Sequence, residues 1–149
     1  MIMNTRRLIM LLLGGMLVSG CANTVIPTFS NSPDYSTLYL RGVFSWWEAD
    51  EKYKLKEVDE DVFATRIELI ADGQPYDFKF ADAKWSADLN CGYLSIDDQV
   101  VKLNSVVKAS CDRANENFKF TPSETGLYEF TIDFSGFGSP RVHIALISS

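Results

Sequence analysis

The sequence predicts an all-β domain, an antiparallel immunoglobulin-like β-sandwich, and three observations carry that expectation. Beyond residue 37, apolar residues recur with a period of two, as in Tyr128, Phe130, Ile132 and Phe134, or Val142, Ile144 and Leu146. That period places alternate side chains on one face of a strand. Turn residues interrupt these runs about every ten positions, the spacing of short antiparallel strands. No segment beyond the first 20 residues sustains the 3.6-residue period of an amphipathic helix.

Residues 37–44, Thr-Leu-Tyr-Leu-Arg-Gly-Val-Phe, form the first expected strand, with Leu38 and Leu40 opposed to Tyr39 and Arg41. Gly42 marks a bend or a close backbone approach. If the chain stayed extended, the adjacent Trp46 and Trp47 would point to opposite faces, leaving one large aromatic in water. The next strands cover 53–58 and 62–70, separated by the acidic turn Asp59-Glu60-Asp61, with Phe63, Ile67 and Leu69 on one face. An Asp-Gly turn at 71–75 introduces a strand at 76–82 in which Tyr76, Phe78 and Phe80 share a face and Lys79 points outward. Further strands are expected at 100–103, 117–120, 126–134 and 141–147, and Tyr128 has the placement of a corner tyrosine bonding nearby backbone. His143 lies in the last alternating run and reads as structural.

The first 20 residues are of another kind: Arg6 and Arg7, an apolar run from Leu8 to Val18, then Ser19, Gly20 and Cys21. The run is half the ~20 residues a helix needs to cross a bilayer, so it reads as an export signal. Leu17-Val18-Ser19-Gly20-Cys21 resembles the lipobox of bacterial lipoproteins. The resemblance implies a signal peptide at 1–20, a lipidated Cys21 and anchorage through that lipid to the membrane. Because Ala22 is not Asp, it also implies the outer membrane, on its periplasmic or surface face. Residues 21–36, rich in Ser, Thr, Asn and Pro, then serve as a tether, and 37–149 form the sandwich.

Losing Arg6 and Arg7 with the signal takes the net charge from −6 to −8. An acidic domain without a basic stripe is not expected to bind nucleic acid, which is held through clustered Lys and Arg. With Cys21 lipidated, Cys91 and Cys111 remain as an even pair in an oxidising compartment and are expected to form a disulfide. A single histidine and the lack of ligand spacing argue against a metal, and no cofactor is expected.

Two motifs carry a second resemblance. Gly42, Phe44 and Trp47 in Leu-Tyr-Leu-Arg-Gly-Val-Phe-Ser-Trp-Trp, then Phe78, Lys79, Phe80 and Trp85 in the segment 62–85, are similar to the starch- and glycogen-binding β-sandwich modules. Those modules are appended to pullulanases and other α-amylase-family enzymes, and one forms the glycogen-binding domain of the AMP-activated kinase. The resemblance implies carbohydrate binding by Trp47 and Trp85 as stacking residues, Lys79 as donor and Asn90 as the polar residue after the second tryptophan. Trp46 is then the surplus aromatic. Ser45 departs from the family's Asn, though its hydroxyl can still accept a turn hydrogen bond.

The chemistry stands on its own terms. The C–H faces of glucose pack on aromatic rings, whose area comes at low entropy cost, while hydroxyls around the rim need donors and acceptors. No nucleophile elbow, metalloprotease helix or phosphate loop occurs, so the chain is not expected to be an enzyme. The expectation is a lipoprotein that binds an α-glucan such as starch, glycogen or maltodextrin for an amylolytic enzyme or uptake system. The alternative is an envelope protein-interaction or secretion accessory that uses Trp46 and Trp47 as an interface anchor.

Overall fold

A computed structural model of the chain describes residues 32–113 and 116–149. The expected signal, Cys21 and most of the tether lie outside these residues. Among the described residues, nine strands form: β1 (Tyr39–Gly42), β2 (Lys56–Asp59), β3 (Val62–Leu69), β4 (Tyr76–Ala81), β5 (Asn90–Tyr93), β6 (Val106–Ser110), β7 (Phe118–Phe120), β8 (Gly126–Asp133) and β9 (Arg141–Ser148). They pair in the order β1-β4-β5-β6-β9-β8-β3-β2, with β7 also on β4, and every strand pair is antiparallel. The sheet curls on itself, so the fold is the predicted all-β sandwich.

Alternation explains the core. In β8, Tyr128, Phe130 and Ile132 are fully buried, as are Val142 and Ile144 of β9, Ile67 and Leu69 of β3, and Phe78 and Phe80 of β4. Phe78 meets Phe130 edge-on at 4.9 Å between ring centroids and stacks on Phe118 at 5.3 Å. These contacts lock the β4/β7 layer onto β8 by aromatic packing. Tyr128 donates its hydroxyl to the Glu124 carbonyl at 2.5 Å, the predicted corner bond.

The structure corrects four expectations. The first strand stops at Gly42, whose neighbourhood has no room for a side chain: a Cβ there would collide with the Asp77 carbonyl and the Phe44 ring. Residues 43–45 turn into a 3-10 helix instead, so Trp46 and Trp47 are not on a strand. Residues 100–103 make only a bridge from Val100 to Lys119, because a 3-10 turn precedes them and Asn104 bends the chain with φ 58°. The strand in this region is β6, where Val107 and Ala109 face inward. The strand β5, Asn-Cys-Gly-Tyr, lacks an apolar pattern and is held by β4, β6 and a disulfide between Cys91 and Cys111 with an S–S distance of 2.07 Å. Finally, Tyr35, placed in the tether by composition, stacks on Phe134 at 3.6 Å and belongs to the packed domain.

Candidate functional site

The site begins with a pair of neighbouring strands. In the antiparallel register of β1 and β4, Arg41 lies opposite Lys79, so both cations project from the outer face of the sheet side by side. Like charges directly opposed on a sheet are unfavourable. Here the two are also buried, Lys79 being only 1% exposed. Alternation puts Lys79 on the outer face, where it was expected in water, but the fold buries it and its ammonium donates to the Arg113 carbonyl, a covering that no strand pattern encodes.

Two loops carry the other lining residues, and the first follows β1. Trp47 donates its amide to the Gly42 carbonyl at 2.9 Å and Glu48 donates to the Ser45 carbonyl at 2.9 Å, closing a tight turn. Buried Ser45 accepts from the Gly42 amide at 3.3 Å, so the hydroxyl takes the turn-fixing role open to it. The second loop follows β4. Asp82 accepts from the Ser86 amide at 2.8 Å and hydroxyl at 2.5 Å, and the Asp82 amide donates to the Leu89 carbonyl at 3.0 Å. Burial alone would raise the Asp82 carboxyl, but these Ser86 bonds, a bond from the Lys84 amide and the Arg41 charge hold it below its ordinary value. It stays ionised and caps the turn that carries Trp85.

Both loops contain backbone that bulky residues rarely adopt. Trp46, Trp47, Trp85 and Asp88 have φ of 51°, 62°, 57° and 67°, four of the six non-glycine residues with positive φ among those described. Left-handed backbone at such residues costs ~1–3 kcal/mol each and clusters at functional sites. The strain falls on the tryptophans that flank one cleft.

That cleft has a volume of about 430 Å³ and is lined by Trp47, Lys79, Trp85, Asn90 and Asn117. All four residues named from the sequence motifs therefore meet in one place. Trp85 is 39% exposed, Trp47 is half-buried, and Trp46, 88% exposed, is not part of the lining. Asn117, just before β7, completes the wall. No family pattern marked it, because its placement depends on β7 pairing with β4.

The polar floor has a definite electrostatic state. Lys79 donates to the Arg113 carbonyl, and burial lowers its amine to about 8, opposed by the charge of Glu116. Burial likewise lowers Arg41, with Glu48 and Asp82 opposing. Asn90, 9% exposed, has a buried side-chain oxygen with no hydrogen-bond partner among the described residues. An orphaned buried acceptor costs ~1–3 kcal/mol, which a donor entering the cleft would recover. Cys91, next to Asn90, ties β5 to Cys111, two residues before the carbonyl that receives Lys79.

Arg41 is the residue the sequence reading missed. Its Nε donates to the Trp47 carbonyl at 2.7 Å, its Nη1 donates to the Asp82 carbonyl at 2.6 Å, and its guanidinium carbon lies 3.6 Å from the centroid of the Trp85 ring. The signal was an arginine on a strand whose other neighbours pack, but only tertiary structure shows what it touches. Among the described residues no group of three or more His, Cys, Asp or Glu could hold a metal ion.

No protein-family model and no curated protein matches the chain. A solved structure does: "Ligand induced structure of AmyP-SBD" matches with a TM-score of 0.55 at 15% identity, covering 91% of this chain and 95% of that one. The chain therefore shares the β-sandwich architecture of a starch-binding domain.

Proposed function

We propose that the domain is a non-catalytic binder of α-glucan, with Trp47 and Trp85 stacking on glucose faces and Lys79 and Asn90 bonding their hydroxyls. The observation that carries this reading is the convergence of those four residues on one cleft. Rings at the mouth and hydrogen-bonding groups on the floor match the two surfaces of a sugar. The Asn90 side-chain oxygen, without a partner among the described residues, supports a ligand rich in hydroxyl donors. The fold shared with AmyP-SBD agrees with the reading, since that architecture hosts a starch-binding domain.

Affinity is expected to be modest, because an open platform buries little sugar and ordering costs offset much of the gain. On this reading Cys21 carries the lipid anchor at the outer membrane, and the domain gathers glucan for an amylolytic enzyme or uptake system. Trp47→Ala and Trp85→Ala should each weaken binding of maltoheptaose by about tenfold or more, equivalent to ~1.4 kcal/mol. Two folded variants that bind like wild type would remove the site.

A second reading rests on Trp46 and Phe137, both largely in water and both outside the cleft. Exposed aromatics are frequent interface anchors, which suits an envelope protein-interaction module. A partner whose capture is lost in Trp46→Ala but kept in Trp85→Ala would favour that reading.

A further inference from the structure

We propose that Arg41 is the positioning residue of the cleft, a single side chain that sets the spacing of the two loops and selects which face of Trp85 a ligand can use. The proposal deepens the glucan-binding reading and rests on it for the nature of the ligand. Three contacts carry it. The Nε donor grips the backbone of Trp47 itself at 2.7 Å, and the Nη1 donor grips Asp82, the root of the Trp85 loop, at 2.6 Å. The same guanidinium lies over one face of the Trp85 ring, with its carbon 3.6 Å from the centroid.

Among the described residues no hydrogen bond runs directly from residues 43–48 to residues 82–89. The hydrogen-bonded link between the loops therefore passes through Arg41. Both tryptophans sit on left-handed backbone, so each ring's direction depends on contacts that over-determine the loop. With one face of Trp85 stacked on a cation, the ring presents its other face to the cleft. A rigid fork is needed to hold two carbonyls and a ring together; a lysine offers one compact charge and cannot do all three. This also gives a reason for tolerating a buried arginine directly beside buried Lys79.

The test separates positioning from mere stability. In a background carrying Trp46→Phe and Trp47→Phe, Trp85 is the one tryptophan left, and the Arg41 bond to residue 47 persists because it is made to backbone. Arg41→Lys in that background should raise acrylamide quenching of Trp85 without any sugar present. In the otherwise native chain, Arg41→Lys should weaken maltoheptaose binding by roughly tenfold, measured well below its melting temperature. In unmutated protein, the Arg41 side-chain resonances should be displaced by the Trp85 ring current and return toward ordinary positions in Trp85→Ala. Unchanged quenching and affinity in a folded Arg41→Lys variant, or undisplaced Arg41 resonances, would overturn the proposal. If the native protein bound no glucan at all, the functional reading would fail, yet quenching and resonance positions would still decide the role of Arg41.

Discussion

Lys79 illustrates how far a residue's neighbours decide its chemistry. On sequence alone it is an outward strand lysine; in the fold it is buried against the Arg113 carbonyl, its amine lowered to about 8 from 10.5 by burial. The sign of the consequence is unusual for a lysine with a hydrogen-bond partner. Its folded pKa is below its unfolded one, so between these values the unfolded chain holds more protons and stability rises with pH. Lys79→Met should lack that rise, as denaturant melts between pH 8 and 10.5 would register. Binding should move the other way, because an ammonium group is the stronger donor to sugar hydroxyls. Maltoheptaose affinity should therefore fall as pH rises through about 8 in wild type and stay level in Lys79→Met. At this scale the sequence named Trp47, Lys79 and Trp85 from two local motifs and Asn90 from its place after the second tryptophan, and the fold brings the four to one cleft. The sequence did not reveal Arg41 and Asn117, whose roles arise from contacts across 41 residues to Asp82 and from the pairing of β7 with β4.

At the scale of elements, strands with strong alternation were legible and strands made by their neighbours were not. The runs that became β3, β4, β8 and β9 show period-two apolar faces; burial follows the alternation in β8 and in most of β3 and β9, whereas β4 is buried on both faces from Phe78 to Ala81. The strand β5, Asn-Cys-Gly-Tyr, has little strand preference in Asn and Gly, and β6 offers only Val107 and Ala109 as a short inward face, so both depend on pairing with β4 and β9. Gly92 shows that dependence: a Cβ there would strike the Glu116 carbonyl, so the chain beside the cleft passes directly over β5. The disulfide between Cys91 and Cys111 fastens the same wall across 20 residues. Its reduction should lower stability by roughly 3 kcal/mol, measured by urea unfolding with and without a thiol reductant. The corner bond is a separate test of packing: Tyr128→Phe leaves the Glu124 carbonyl unpaired and should cost about 1–3 kcal/mol.

For the whole molecule, the fold places the cleft at the ends of adjacent strands and uses the loops after β1 and β4 to carry its aromatic rings. An architecture of this kind hosts many functions, so the site must carry the functional claim. What the site offers is a pair of strained tryptophans, two buried cations, one of which ties the loops together, and an amide oxygen without a partner among the described residues. Hydrophobic docking alone would leave the polar floor unsatisfied, whereas a hydroxyl-rich ligand with apolar ring faces answers both parts. The most direct measurement is tryptophan fluorescence of residues 22–149 titrated with maltoheptaose, with cellohexaose as the β-linked control. A saturable change with the α-glucan alone is the predicted result; a flat trace with both sugars on folded protein would contradict glucan binding by this cleft.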